Sequence, residues 1–325
     1  MSAILAVTAP FFALVLAGWL AARRGLLPVS AIPGLNAYVL YFALPCMLLR
    51  FGMGAPVLEL LNPYLLAVYL LCGLTVVAFT IAISLNSRVT LKDASFGALV
   101  AAFPNTGFMG IPLLAALLGP AAAGPAMCSI LADLFVISSL CIALSQLRAP
   151  QGGQEHGARR AALRALRGTV ANPLPWAIAL GAALSAAGLR LSGPVETLVQ
   201  MLADSASPVA LFSIGAVLWR ASLNTQQRTR VADYLPVALI KLLLHPLLVL
   251  VVGSAARQLG APLSAFQLMV LTMVAALPSA SNASLLAERF GADSGRVARI
   301  IMSSTVLAFG SFSALAWCFG VKPGG

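Results

Sequence analysis

Apolar stretches of roughly 20 residues recur along this chain, each closed by charged residues or by proline and glycine, and that length matches the hydrocarbon thickness of a bilayer. Read this way, the pattern predicts ten membrane spans, at about 3–22, 32–50, 63–84, 93–118, 123–146, 172–189, 194–219, 234–256, 263–287 and 295–319. Two spans are interrupted by nearly the same phrase. In the fourth, Val100-Ala101-Ala102-Phe103-Pro104 runs into Asn105-Thr106-Gly107; in the ninth, Val274-Ala275-Ala276-Leu277-Pro278 runs into Ser279-Ala280-Ser281-Asn282. Proline removes a backbone donor and clashes with the preceding turn, so a helix is expected to break at each phrase.

The halves can be superposed beyond those phrases. Pro10, Gly18, Gly25 and Pro45 match Pro173, Gly181, Gly188 and Pro208 at a constant offset of 163, and Pro104 matches Pro278 at 174. Each half then holds five spans, and because five is odd the second half enters the membrane upside down. The expected fold is an all-α integral membrane protein of ten transmembrane helices in two inverted five-helix repeats, with broken crossover helices 4 and 9. The repeats cover 1–146 and 171–325, joined by a polar linker at 147–170. Paired broken helices in such repeats mark the substrate site of many secondary transporters.

Composition agrees with the membrane reading: of 325 residues, 60% are hydrophobic and 9% charged, against about 25% charged in soluble proteins. The first apolar run continues to Ala22 without a preceding positive charge, and so reads as a span rather than a cleavable leader. The net charge of +11 suggests a nucleic-acid partner until its distribution is considered. With the N-terminus outside, 15 of the 20 Lys and Arg residues fall in cytoplasmic connections, four on the other side (Arg50, Arg190, Arg257, Lys322), and Lys241 within a span. That asymmetry is a positive-inside signal and leaves no basic patch for nucleic acid. Both termini are expected on the periplasmic or exterior face of an inner membrane. The five cysteines lie in apolar spans without metal-ligand spacing, so no metal or cofactor is expected.

An unsatisfied backbone group in hydrocarbon costs several kcal/mol, so the breaks belong inside protein or beside a water-filled cavity. Helix N-termini beyond them favour an anion, by up to about 2 kcal/mol when partly buried. A small organic carboxylate is the expected guest, and Pro104, Asn105, Thr106, Pro278, Ser279, Ser281 and Asn282 are the candidate substrate-binding residues. The alternative is that these polar groups only repair the freed backbone. Gly107, Gly110 and Pro112 read as permitting close helix approach. Among ionisable residues in the spans, Asp133, Lys241 and Asp204 are candidates for coupling or charge compensation. Asp133 is open to either a coupling or a structural role, and pairing or proton exchange with Lys241 is one possibility. Asp204 is also readable as polar packing, Lys241 as snorkelling to the headgroups, and His245 as packing.

Several phrases resemble one known family. Leu35-Asn36 through Tyr41-Phe42-Ala43-Leu44-Pro45, the run from Phe103 to Pro112, Ala210-Leu211-Phe212-Ser213-Ile214-Gly215, and Leu277 to Ala283 with Ala287 to Asp293 are similar to the auxin efflux carriers. That family includes plant auxin exporters and bacterial permeases for malonate or malate, with a fold similar to the bile acid/sodium symporters. The resemblance implies a scaffold of helices 1, 2, 6 and 7, a core of helices 3–5 and 8–10 that moves in an elevator-like way, and a homodimer among membrane lipids. Glu288 stands ten residues beyond Pro278 and no acidic residue flanks either proline, which departs from a sodium-coupled relative and favours proton coupling or uncoupled flux.

The expected function is a secondary carrier of small organic carboxylates working by alternating access. The alternative is an uncoupled anion channel or facilitator, against which stands the lack of charge rings or a filter-like repeat. With two histidines and no nucleophile and base in register, an enzyme is not expected.

Overall fold

A computed structural model of the chain describes residues 1–54, 62–147, 163, 167–168, 170–223 and 229–322. His156 and most of the polar linker lie outside the described residues. Among those described the chain is helical, with one isolated β-bridge. Seven helices are long and apolar enough to cross a membrane: α1 (Ser2–Arg23), α2 (Val29–Gly54), α3 (Pro63–Ser84), α6 (Pro120–Ser145), α8 (Gly193–Arg220), α9 (Val231–Gln258) and α12 (Ser294–Cys318). The protein is therefore read as a multi-pass membrane protein. The three other expected spans are shorter or divided. One is α7 (Pro173–Ala186); the fourth span is split into α4 (Leu91–Ala102) and α5 (Thr106–Leu118), and the ninth into α10 (Ala265–Ala275) and α11 (Ala283–Arg289).

Local sequence explains where the helices start. Asn62 and Asn172 each precede a proline and cap α3 and α7, accepting from Tyr64 N and Leu174 N at 3.0 Å. Proline at the first helical position loses no bond, because that amide is unpaired in any helix. Thr90 caps α4, Ser264 and Gln267 form a reciprocal capping box on α10, and Asp293 caps α12.

Four helical stretches widen into π turns: Val39–Ala43, Thr106–Gly110, Asp133–Ile137 and Ile240–Leu244. Pro45, Pro112 and Pro246 each stand two residues after the end of such a turn, where the ring would strike the carbonyl four residues back. Widening by one residue relieves that clash. No proline follows the turn that opens on Asp133. A π turn without a steric cause is characteristic of functional positions.

Glycine sets how closely the helices pack. A Cβ on Gly18 of α1 would collide with the Phe212 carbonyl of α8, and one on Gly215 with the Val15 carbonyl. A Cβ on Gly181 of α7 would stand 2.6 Å from the Leu49 carbonyl of α2, and one on Gly52 3.2 Å from the Ile178 carbonyl. The pairs α1 with α8 and α2 with α7 therefore approach backbone to backbone. α3, α4, α6, α9, α10 and α12 form a second packed group, and α12 also touches α1 and α8.

Candidate functional site

The two proline phrases meet. Phe103, Pro104 and Asn105 leave the end of α4, Phe103 extended, and lie antiparallel to Pro278, Ser279 and Ala280, which follow α10. Asn105 N donates to Pro278 O at 2.8 Å, and Ala280 N donates to Phe103 O at 3.0 Å. Pro104 faces Ser279 rather than Pro278. This register suits proline, because neither member of the central pair uses its own amide in the bridge. The free Ser279 amide is taken by Ser304 Oγ of α12 at 3.2 Å.

Backbone repair runs between the two segments. Pro104 has no amide for the carbonyl of Val100, and the Ser279 hydroxyl donates to that carbonyl at 2.6 Å. The carbonyl of Ala275, left without an intrahelical partner where α10 stops, accepts from Lys241 Nζ at 2.8 Å. Lys241 is 0% exposed, and its amine sits at the negative end of the α10 dipole.

Beyond repair, two polar atoms at the crossing are buried without a partner: Thr106 Oγ1 and Asn282 Oδ1. Asn105, Thr106, Ser279 and Ser281 are all buried, as are Pro104 and Pro278, whereas Asn282 is partly exposed. Gly110 brings α5 against Leu277, whose side chain occupies the space a Cβ would need. A buried polar atom normally has a partner, and these two offer an acceptor and a hydroxyl to whatever enters.

The ionisable residues divide into two places. Asp133 is fully buried and accepts from Tyr69 Oη at 2.9 Å, while its second oxygen has no partner. Lys241 lies 3.2 Å from His245 Nδ1, and the His245 ring stands 5.9 Å from the Tyr69 ring. Asp133 and Lys241 make no ion pair within 4.0 Å among the described residues. Asp204 is elsewhere, on α8, paired at 2.9 Å with Arg50 of α2. A cavity of about 430 Å³ lies beside that pair, lined by Arg50, Arg190, Glu196 and Gln200, and its lining includes no residue of the crossing. We place the candidate site at the crossing because two of the buried unpartnered groups, Thr106 Oγ1 and Asn282 Oδ1, lie beside the broken backbone there, and the lining of the cavity beside Arg50 includes no such group. Tyr69, His245 and Ser304 gave no site signal in the sequence, since hydroxyls and a ring within apolar spans look like ordinary packing.

The membrane transport protein family model matches residues 3–316. The chain belongs to that family. It is therefore a membrane transporter, in line with the resemblance carried by the proline phrases. A Rhizobium meliloti protein named "putative malonate transporter" is 27% identical over 98% of this chain and 96% of its own length. An uncharacterized transporter of Methanothermobacter thermautotrophicus is 27% identical over 91% of both chains. An uncharacterized Escherichia coli transporter is 26% identical over 62% of this chain and 60% of its own. Family and relatives are named as transporters, which points away from an enzyme.

Proposed function

We propose that this protein is a secondary carrier of small organic carboxylates, working by alternating access in an inner membrane. The observation that carries the reading is the crossing itself: two broken helices bonded to each other, with Thr106 Oγ1 and Asn282 Oδ1 buried and unpartnered. Asn105, Thr106, Ser279, Ser281 and Asn282 would bind the carboxylate between Pro104 and Pro278, and the start of α5 adds its dipole. Malonate, the substrate in the name of the Rhizobium relative, belongs to this chemical class.

An inverted repeat of ten helices is supported by the glycine contacts. The offset of 163 that relates Gly18 to Gly181 also relates Phe212 to Leu49, so the first contact turns into the second when the halves exchange. The same holds for Gly215 with Val15 and Gly52 with Ile178. Such exchange is what a pseudo-two-fold axis produces. It also supports a scaffold of helices 1, 2, 6 and 7; an elevator-like step of the remaining helices, within a homodimer, is part of the same proposal. Arg296 bonds the ends of α3, α4 and α9, all assigned to the cytoplasmic side, while Arg50 and Arg190, assigned outside, line one cavity. That clustering favours both termini outside.

Counterflow in proteoliposomes tests the function. Vesicles loaded with unlabelled malonate should transiently accumulate labelled malonate through the protein, with saturation. Flux that rises linearly with concentration and shows no counterflow for malonate or other small carboxylates would favour a channel and overturn the carrier.

A further inference from the structure

We propose that Asp133, Tyr69, His245 and Lys241 form one buried proton-carrying unit that makes transport of a monoanion electroneutral, one proton moving with each carboxylate. This rests on the carrier reading above. The geometry is two hydrogen-bonded pairs, one between α6 and α3 and one within α9, brought together where the Tyr69 and His245 rings stand 5.9 Å apart. Tyr69 Oη donates to Asp133 Oδ2 at 2.9 Å; Lys241 Nζ donates to Ala275 O at 2.8 Å and meets His245 Nδ1 at 3.2 Å. With Lys241 protonated, as the proposal has it, the ammonium has donors only, so Nδ1 accepts and the ring proton lies on Nε2. His245 Nε2 and Asp133 Oδ1 are both buried without a partner, a donor and an acceptor on residues that flank Tyr69.

Charge balance supplies the argument. Asp133 and Lys241 are each 0% exposed, and with one negative and one positive charge the unit is neutral overall. A carboxylate at the crossing leaves an uncompensated negative charge in low dielectric, which is costly. One proton taken from water on the loading side and bonded to Asp133 Oδ1 restores neutrality, and its return to water on the far side resets the carboxylate. Lys241 keeps its proton throughout and holds the Ala275 carbonyl, which ties the unit to the break at Pro278. The turn bearing Asp133 packs on α3 and α4, and that bearing Lys241 on α3, α4 and α12. α3 faces them with Tyr69 and Cys72. The charged residues of α4 and α12, Lys92, Asp93, Arg296 and Arg299, lie in their first two turns; Asp93 and Arg296 have hydrogen-bond partners, and Arg299 stands over the Tyr234 ring at 5.9 Å with its Nε unpartnered.

The test has two arms. In proteoliposomes, a gradient of one pH unit should drive about tenfold accumulation of the labelled monoanion over protein-free vesicles, with no response to an imposed potential. Asp133→Asn, which mimics the protonated carboxyl, should bring that ratio to one. Accumulation that follows the potential and ignores the pH gradient, or gradient-driven accumulation that survives Asp133→Asn, overturns the proposal. The second arm needs no substrate and stands even if counterflow fails. Detergent-purified Lys241→Met should lose thermal stability, and adding Asp133→Asn should restore most of it, because the pair is then neutral again. Additive losses in the double variant would show that the residues are not one unit and overturn the proposal independently.

Discussion

Ser279 donates its hydroxyl to the carbonyl of Val100, the acceptor that Pro104 leaves without an amide. Each broken segment is thus completed by the other: a serine that looks like part of a substrate site also closes the backbone of its neighbour. Ser279→Ala should therefore destabilise the protein by about 1–3 kcal/mol, the cost of an unpaired buried acceptor. In detergent this reads as a fall of a few degrees in apparent melting temperature. An unchanged melting temperature would mean that the Val100 carbonyl has found another donor.

The hydroxyl of Thr106 is the opposite case. It is buried and has no partner, so Thr106→Val removes no bond, and stability should stay within about 0.5 kcal/mol of wild type or rise. Transport should nevertheless fall by about tenfold or more, the value of one lost ligand hydrogen bond. Asn105→Ala and Asn282→Ala should likewise remove counterflow while leaving monodisperse protein. Normal transport by all three would move the substrate site away from the crossing.

Much of this geometry was legible in the sequence, and the reason is physical. Span positions follow from apolar length, and the breaks follow from Pro104 and Pro278, because neither depends on distant residues. The pairing register was not legible: the phrases align Pro104 with Pro278, but the bridge sets Pro104 against Ser279, since the central pair is where a missing amide costs nothing. Lys241 was equally hidden. Its position in α9 shows a cation in a span, yet its partner is a backbone carbonyl at the end of α10, 34 residues away. Arg296 counts as cytoplasmic by charge, but is 3% exposed, because the positive-inside rule reports the side of the membrane and not the depth.

Asp204 was a candidate for coupling on the ground of its depth in a span. In the structure it is paired with Arg50, and the side chains are 61% and 53% exposed. Exposed pairs contribute no more than about 1 kcal/mol. Asp204→Asn should thus change melting temperature little and retain both counterflow and its response to pH gradients. A loss of gradient-driven accumulation in this variant, measured beside Asp133→Asn, would return Asp204 to the coupling pathway.

Glycine positions separate by sign. Gly18→Ala and Gly215→Ala would drive a methyl into the Phe212 and Val15 carbonyls, where backbone cannot yield, and should cost about 1–3 kcal/mol or more by forcing α1 from α8. Gly34 of α2 and Gly310 of α12 have no heavy atom within 4 Å of the added carbon. Alanine there should be neutral or stabilise by up to about 1 kcal/mol, because glycine is a poor helix former. Yield and melting temperature of the four variants check the division, and equal behaviour would remove the close approach.

Arg296 joins four helices at one end of the bundle. Its Nε donates to Asp233 O and its Nη1 to Asp93 O, both at 2.8 Å, its Nη2 donates to Ser84 Oγ at 3.3 Å, and Asp293 accepts from its backbone. Lysine cannot reproduce that fork, so Arg296→Lys should destabilise nearly as much as Arg296→Met, by about 1–3 kcal/mol for each carbonyl left unpaired. Gly97 of α4 exists to admit the guanidinium: an added Cβ would stand 2.7 Å from Nη1. Gly97→Ala should therefore destabilise although alanine favours the helix. With Arg296→Met in place, the obstruction is gone, and the same Gly97→Ala change should become neutral or favourable. The four melting temperatures of this cycle decide it, since additive effects would mean that Gly97 acts through some contact other than Arg296.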